Sequence, residues 1–370
     1  MALISGGIFT MKLFTVGPTQ MRKEVMEVGG ELVPYFRTKE FSNVMLDSDR
    51  LLKKFMHAEE NAKSIYLTAS GTAAMEAVIM NCLTSDDKAL IIDGGTFGHR
   101  FVQLCDIHEV PYERVVLGAD EQLMEKHLRP FENVGITALL VNIDETSTGQ
   151  LYDTQLLSDF CKKTSAYFIV DAISSYLIDP FNMEKYGIDA TIVSSQKGLC
   201  IAPGLSVVVL SNRLIKSRVE NNQIRNLYFN FNDYLKNFQR GQTPFTPCVG
   251  ICMEMNKALH LIDEQGEENF LNHIDMVAKD FREKVKELPV SIPAFPLSNA
   301  VTPVIFDKPI AKKVFEILKD DYDIYVNPTG GEREHYVLRV AHIGDTTIED
   351  NSMLIDYMKK AIKKATEDLE

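Results

Sequence analysis

From about residue 64 the chain repeats one rhythm: a short β-branched apolar run, a break of Gly, Ser or Asp, then apolar positions at helical spacing. That alternation is the signature of successive βα units and predicts a mostly parallel sheet with helices packed on it. Strand candidates fall at 65–68, 89–92, 115–117, 137–142, 167–170, 191–193 and 206–210, and several are apolar throughout, as strands covered on both faces should be. Helical periodicity marks 73–83, 101–108, 121–128 and 155–163. Past residue 250 the texture changes to one long amphipathic helix at 253–288, two strand-like runs at 301–306 and 336–341, and a Lys-rich final helix. The pattern therefore predicts an N-terminal segment (1–20), a large α/β domain (21–255) and a smaller α+β domain (256–370), with no internal repeat and no Gly/Ser linker.

Composition narrows the function. The 370 residues are 45% apolar and 25% charged, which excludes disordered and low-complexity classes. With 39 Lys and Arg against 52 Asp and Glu the net charge is −13, unsuited to a duplex-binding surface and pointing to small-molecule partners without nucleic acid. The six cysteines are scattered in apolar surroundings, and the closest pair, Cys248 and Cys252, fits neither a zinc knuckle nor a disulfide framework. Residues 1–10 have no basic n-region, Met11 is an alternative start, and no apolar run approaches the ~20 residues of a membrane span. A cytoplasmic location without membrane contact is expected.

The candidate chemistry sits at strand ends. No phosphate loop of the G-x-x-x-x-G-K-[ST] type and no G-x-G-x-x-G after a strand is present, so nucleotide hydrolysis and a dinucleotide site lose support. After the first strand comes Ser70-Gly71-Thr72, opening a helix whose free N–H groups suit a phosphate; taken alone, the same residues read equally well as an N-cap. Asp171 closes the run Tyr167-Phe-Ile-Val-Asp171, where open α/β sheets bind ligands. Lys197 follows the next strand in Ser194-Ser-Gln-Lys197-Gly198, where burial can lower its pKa as imine formation requires. Each has a plain alternative, a loop carboxylate or a solvated cation. Together they supply the imine-forming lysine, the carboxylate for a ring nitrogen and the phosphate site that a pyridine aldehyde cofactor needs.

At this point the chain resembles the class V, fold-type I aminotransferases that depend on pyridoxal 5′-phosphate (PLP), the group of alanine/serine:glyoxylate/pyruvate and 2-aminoethylphosphonate:pyruvate enzymes. The motifs carrying the likeness are Phe14-Thr-Val-Gly-Pro-Thr19, Ser70-Gly-Thr72, Glu145-Thr-Ser-Thr-Gly149, Val170-Asp171, Ser194-Ser-Gln-Lys-Gly198, Ala202-Pro-Gly204 and Leu338-Arg-Val340, with 26 residues from Asp171 to Lys197. The resemblance implies a large domain built on a mostly parallel seven-stranded sheet between helices, plus the small C-terminal domain. It implies Lys197 as the Schiff-base lysine and Asp171 as partner of the pyridinium nitrogen, these two being the catalytic pair. Ser70, Gly71, Thr72 and Gln196 would hold the phosphate, Thr146 the ring hydroxyl side, and Phe97 the ring face. Gly17, in a segment the family lays over the active site, and Arg339 would bind the substrate, Arg339 gripping its carboxylate. Thr246, in Arg240-Gly-Gln-Thr-Pro-Phe-Thr-Pro247, would reach the neighbouring cofactor's phosphate across a homodimer interface.

The expected reaction moves an amino group from a small amino acid, alanine- or serine-like, to a 2-oxo acid such as pyruvate or glyoxylate. A phosphonate donor is the alternative, with Arg37, Arg225 and Arg240 as candidates for its second anionic group. A desulfurase or lyase of the same fold is a further one; the loop-like stretch 327–332 offers no cysteine for it. The histidines show no metal spacing, and no metal is expected.

Overall fold

The computed structural model describes residues 11–367; residues 1–10, on which the absence of a leader was argued, lie outside them. Seven strands make the large sheet: β2 (Lys63–Leu67), β3 (Ala89–Asp93), β4 (Tyr112–Val116), β5 (Ala138–Asn142), β8 (Tyr167–Asp171), β9 (Ala190–Ser194) and β10 (Ser206–Leu210). Their order is β2-β10-β9-β8-β5-β3-β4, parallel from β9 to β4, with β10 antiparallel to both neighbours. Every residue of β3, β5, β9 and β10 is buried. The alternation of a pleated strand then divides them between two cores: Leu139, Val141, Phe168 and Val193 face one, Leu140, Ile169 and Ile192 the other. Burying each such side chain is worth about 2 kcal/mol.

A hairpin of β6 (Asp144–Glu145) and β7 (Gln150–Leu151) follows β5 directly. The small sheet has the order β1-β13-β14-β12-β11, from β1 (Lys12–Phe14), β11 (Val290–Ser291), β12 (Val301–Phe306), β13 (Ile324–Pro328) and β14 (Val337–Ala341). Only β12 and β14 match runs expected from the sequence. The N-terminal segment instead supplies an edge strand, β1 pairing in parallel with β13, and Phe14 is buried in the small-domain core. Pro328, in the stretch expected to be a loop, ends β13.

Three of the expected elements need correction. The single helix at 253–288 is two, Val249–Gln265 and Glu267–Lys284, because Gly266 takes φ +84° and turns the chain between them. The helix at 121–128 shrinks to Glu125–Leu128, and the strand read at 115–117 starts three residues earlier, at Tyr112. The expected boundary at 255 falls inside Val249–Gln265; the passage between cores runs along Glu267–Lys284, where Phe270 and Ile274 face the large core and Phe281 the small one. Among the described residues no helix is long and apolar enough to cross a membrane.

Candidate active site

The C-terminal ends of β5, β8 and β9 open into a cleft of about 170 Å³ against the helix Gly71–Cys82. Gly17, Ser70, Gly71, Thr72, Phe97, Thr146, Asp171, Gln196 and Lys197 all line it, so nine positions read from the sequence converge there.

Local chemistry explains how each is held. Ser70 caps Gly71–Cys82, its hydroxyl accepting from Ala73 N at 3.4 Å, and the first-turn N–H groups of Gly71 and Thr72 precede any helical acceptor. The Thr72 hydroxyl accepts from Arg100 Nη1 at 3.2 Å, which leaves its own hydrogen to donate. Glu145 caps the helix Thr96–Ile107, taking Gly98 N at 2.8 Å and Phe97 N at 3.4 Å, and thereby fixes the backbone of Phe97. Thr146 Oγ1 donates to Ser174 at 2.8 Å, and Ser194 donates to Gln196 Oε1 at 2.7 Å. Above Lys197 lies Gly17, at φ +152°; a Cβ there would stand 3.0 Å from the lysine's Cδ and Cε, so only glycine lets the N-terminal segment close this tightly. Asn327 Oδ1 secures that segment by accepting Val16 N at 2.7 Å.

Charge inside the cleft is strongly perturbed. Burial pushes the Asp171 carboxyl up to about 7, opposed by the Ile173 N–H that one oxygen accepts at 2.8 Å. Burial also pulls the Lys197 ammonium down to about 8, against Asp144 and Asp171, which favour its charge. Arg339 stands on β14 and reaches across from the small domain. Its Nη1 donates to Thr146 O at 3.1 Å and Nη2 to Pro328 O at 3.0 Å, while Nε is buried without a partner. No carboxylate is paired with this guanidinium among the described residues, which leaves it disposed toward an incoming anion.

The donor set fits PLP. A buried amine of lowered pKa suits an aldehyde, a carboxyl with one oxygen unengaged suits a protonated ring nitrogen, and a helix N-terminus with two hydroxyls suits a phosphate.

Other expected positions lie elsewhere. Thr246 is exposed and does not line the cleft of its own chain. Arg37 is spent on Gln242, Thr243 O and Pro244 O, Arg240 donates to Asn237, and Arg225 is exposed; none of the three lines the cleft. His99 pairs with Asp93, and His342 is buried against Thr302. Sequence reasoning missed Met75, Asp144, Ile173, Ser174 and Arg100. For Arg100 a signal existed, since it follows Phe97 by three residues on one helix and so shares its face.

The Aminotransferase class-V family model matches residues 17–332, and the chain belongs to that family of transaminases. An uncharacterised aminotransferase of Methanocaldococcus jannaschii is 30% identical over 342 residues, covering 90% of this chain and 87% of the relative. Serine–glyoxylate aminotransferase of Methylorubrum extorquens is 26% identical, with 90% and 86% covered. The crystal structure of alanine–glyoxylate aminotransferase from Nostoc superposes with a TM-score of 0.91 over 98% of both chains at 23% identity, a likeness of fold. Enzymes of this family depend on PLP in general.

Proposed function

We propose that this transaminase binds PLP at Lys197 and moves an amino group from a small amino acid, alanine- or serine-like, to a 2-oxo acid such as glyoxylate or pyruvate. One observation carries the reading: a buried lysine, a buried carboxyl and a helix N-terminus face a single cleft, and Arg339 donates to the backbone of Thr146 on its wall. Bound there, PLP supplies an electron sink for the carbanion left when the donor's Cα loses its proton. Lys197 Nζ takes that proton and returns it, a role suited to an amine that burial holds near neutrality. With PLP bound, the Asp171 carboxylate would partner the ring nitrogen, Phe97 would pack against the ring, and Thr146 would orient the ring hydroxyl. Ser70, Gly71, Thr72 and Gln196 would hold its phosphate. Arg339 takes the donor's carboxylate, and the Gly17 backbone closes over the substrate and excludes water.

The enzyme works as a homodimer in this reading. Leu32, Val33 and Tyr35 expose apolar surface, and Arg37 ties that stretch to Thr243 and Pro244, next to Thr246, so the same face offers a hydroxyl to the partner's phosphate site. The serine donor of the Methylorubrum extorquens relative, with glyoxylate as acceptor, agrees with a small donor side chain.

The test is a donor and acceptor screen on the PLP-loaded protein with Ala, Ser, Gly, ureidoglycine and 2-aminoethylphosphonate against glyoxylate and pyruvate. Turnover with Ala or Ser is expected. Turnover with the phosphonate alone would replace this reading.

A further inference from the structure

The phosphate end of the cleft is short of positive charge. Ser70, Gly71, Thr72 and Gln196 are uncharged, and the charged groups that line the cleft are the acids Asp144 and Asp171 and a single cation, Lys197, which the cofactor's aldehyde needs. A phosphate monoester carries a charge of about −1.5 to −2 at neutral pH, against which the first turn of the helix Gly71–Cys82 sets only about +0.5. A second cation stands behind that turn. Arg100 lies on the helix Thr96–Ile107, three residues after the cleft residue Phe97, and its Nη1 donates to Thr72 Oγ1 at 3.2 Å. Among the described residues no carboxylate pairs with this guanidinium, and its Nε is closed off from solvent without a partner. Asp93, which shares with Arg100 a neighbouring cleft of about 430 Å³, is engaged by Arg114 Nη2 at 3.1 Å and by His99 Nδ1 at 3.2 Å. The charge of Arg100 reaches the cofactor cleft: burial pushes the Asp171 carboxyl up, and Arg100 is among the groups that oppose it. A partly buried cation with no counterion is costly until an anion meets it.

We propose that Arg100 is a positioning residue for the cofactor's phosphate: its guanidinium turns the Thr72 hydroxyl toward a phosphate oxygen, and its unpaired charge favours the fully ionised phosphate. With an N–H of Arg100 on Oγ1, the hydroxyl hydrogen of Thr72 has to point away from Arg100, and the cleft that Thr72 lines is where its acceptor would stand. A guanidinium suits this place because it stays charged at every working pH and has donors to spare after one is used. Glu145, which caps the helix Thr96–Ile107 through Gly98 N and Phe97 N, thereby sets the cation for the phosphate together with the aromatic ring of Phe97.

The proposal rests on the reading of this cleft as the PLP site, and its test separates the phosphate from the rest of the cofactor. The cofactor-free full chain is titrated with PLP and, in parallel, with pyridoxal, which has the same ring and aldehyde but no phosphate, and binding is read from the visible cofactor band. Arg100→Gln should weaken PLP by about tenfold to a hundredfold, the value of a charge-assisted contact, and leave pyridoxal within about twofold of wild type. Arg100→Lys, which keeps the charge, should recover part of the loss. In phosphorus NMR of the PLP-loaded proteins, the wild-type phosphate signal should stay constant between about pH 6 and 8, whereas in Arg100→Gln it should move with pH as the phosphate takes up a proton. Wild-type PLP affinity in Arg100→Gln overturns the proposal. An equal loss for PLP and pyridoxal overturns it too, and assigns Arg100 a structural role. Wild-type protein that gives no cofactor band with either aldehyde refutes instead the reading of the cleft as a PLP site, a result distinct from a variant that matches a band-forming wild type.

Discussion

Removing the charge of Asp171 should stabilise the cofactor-free protein at neutral pH and do nothing for it in acid. Burial pushes this carboxyl up to about 7, whereas in the unfolded chain it titrates near its ordinary value of about 3.9. Between those values the folded protein holds a proton that the unfolded chain has released, so this group's contribution to stability falls as pH rises from about 4 to about 7. A gap of about three units, at about 1.4 kcal/mol each, makes the full penalty about 4 kcal/mol above that window. Asp171→Asn keeps the shape and an oxygen to accept Ile173 N–H, yet has no charge to bury. Urea unfolding of cofactor-free wild type and variant across pH should give a difference near zero at about pH 4, growing to several kcal/mol in the variant's favour by about pH 8. PLP should reverse the order, because the wild-type carboxylate then meets a protonated ring nitrogen. A difference that stays flat with pH would refute the reasoning.

Other substitutions test other parts of the account. Arg339→Lys should raise KM for alanine by roughly tenfold to a hundredfold, the value of a bidentate charged contact, and leave an amine without a carboxylate unaffected in steady-state kinetics. Gly17→Ala, which forces a Cβ against Lys197 at a positive φ, should lower kcat/KM by an order of magnitude or more with little change in melting temperature. Leu140→Ala on β5, fully buried, should cost about 2–5 kcal/mol in urea unfolding.

The sheet strands were legible because residues such as those of Ala138–Asn142 are buried on both faces and therefore apolar without interruption. Asp171 and Lys197 were legible because an acid and a lysine immediately after such runs stand where parallel sheets bind ligands. β1 and β13 were not: three- and five-residue strands paired across more than 300 positions leave no local pattern. Gly266 lies in an amphipathic stretch whose period persists on both sides, so only its positive φ reveals the break. Asp144 was hidden by its neighbour, since nothing in Asp144-Glu145 tells which acid caps the helix Thr96–Ile107 and which lines the cleft.

The central claim, that Lys197 carries the cofactor, is tested most directly by borohydride treatment of the PLP-loaded protein followed by peptide mapping. The account predicts a phosphopyridoxyl adduct on Lys197 alone, and none in Lys197→Ala, which should also lose turnover with every donor. An adduct on another lysine, or transamination that persists in Lys197→Ala, would contradict it.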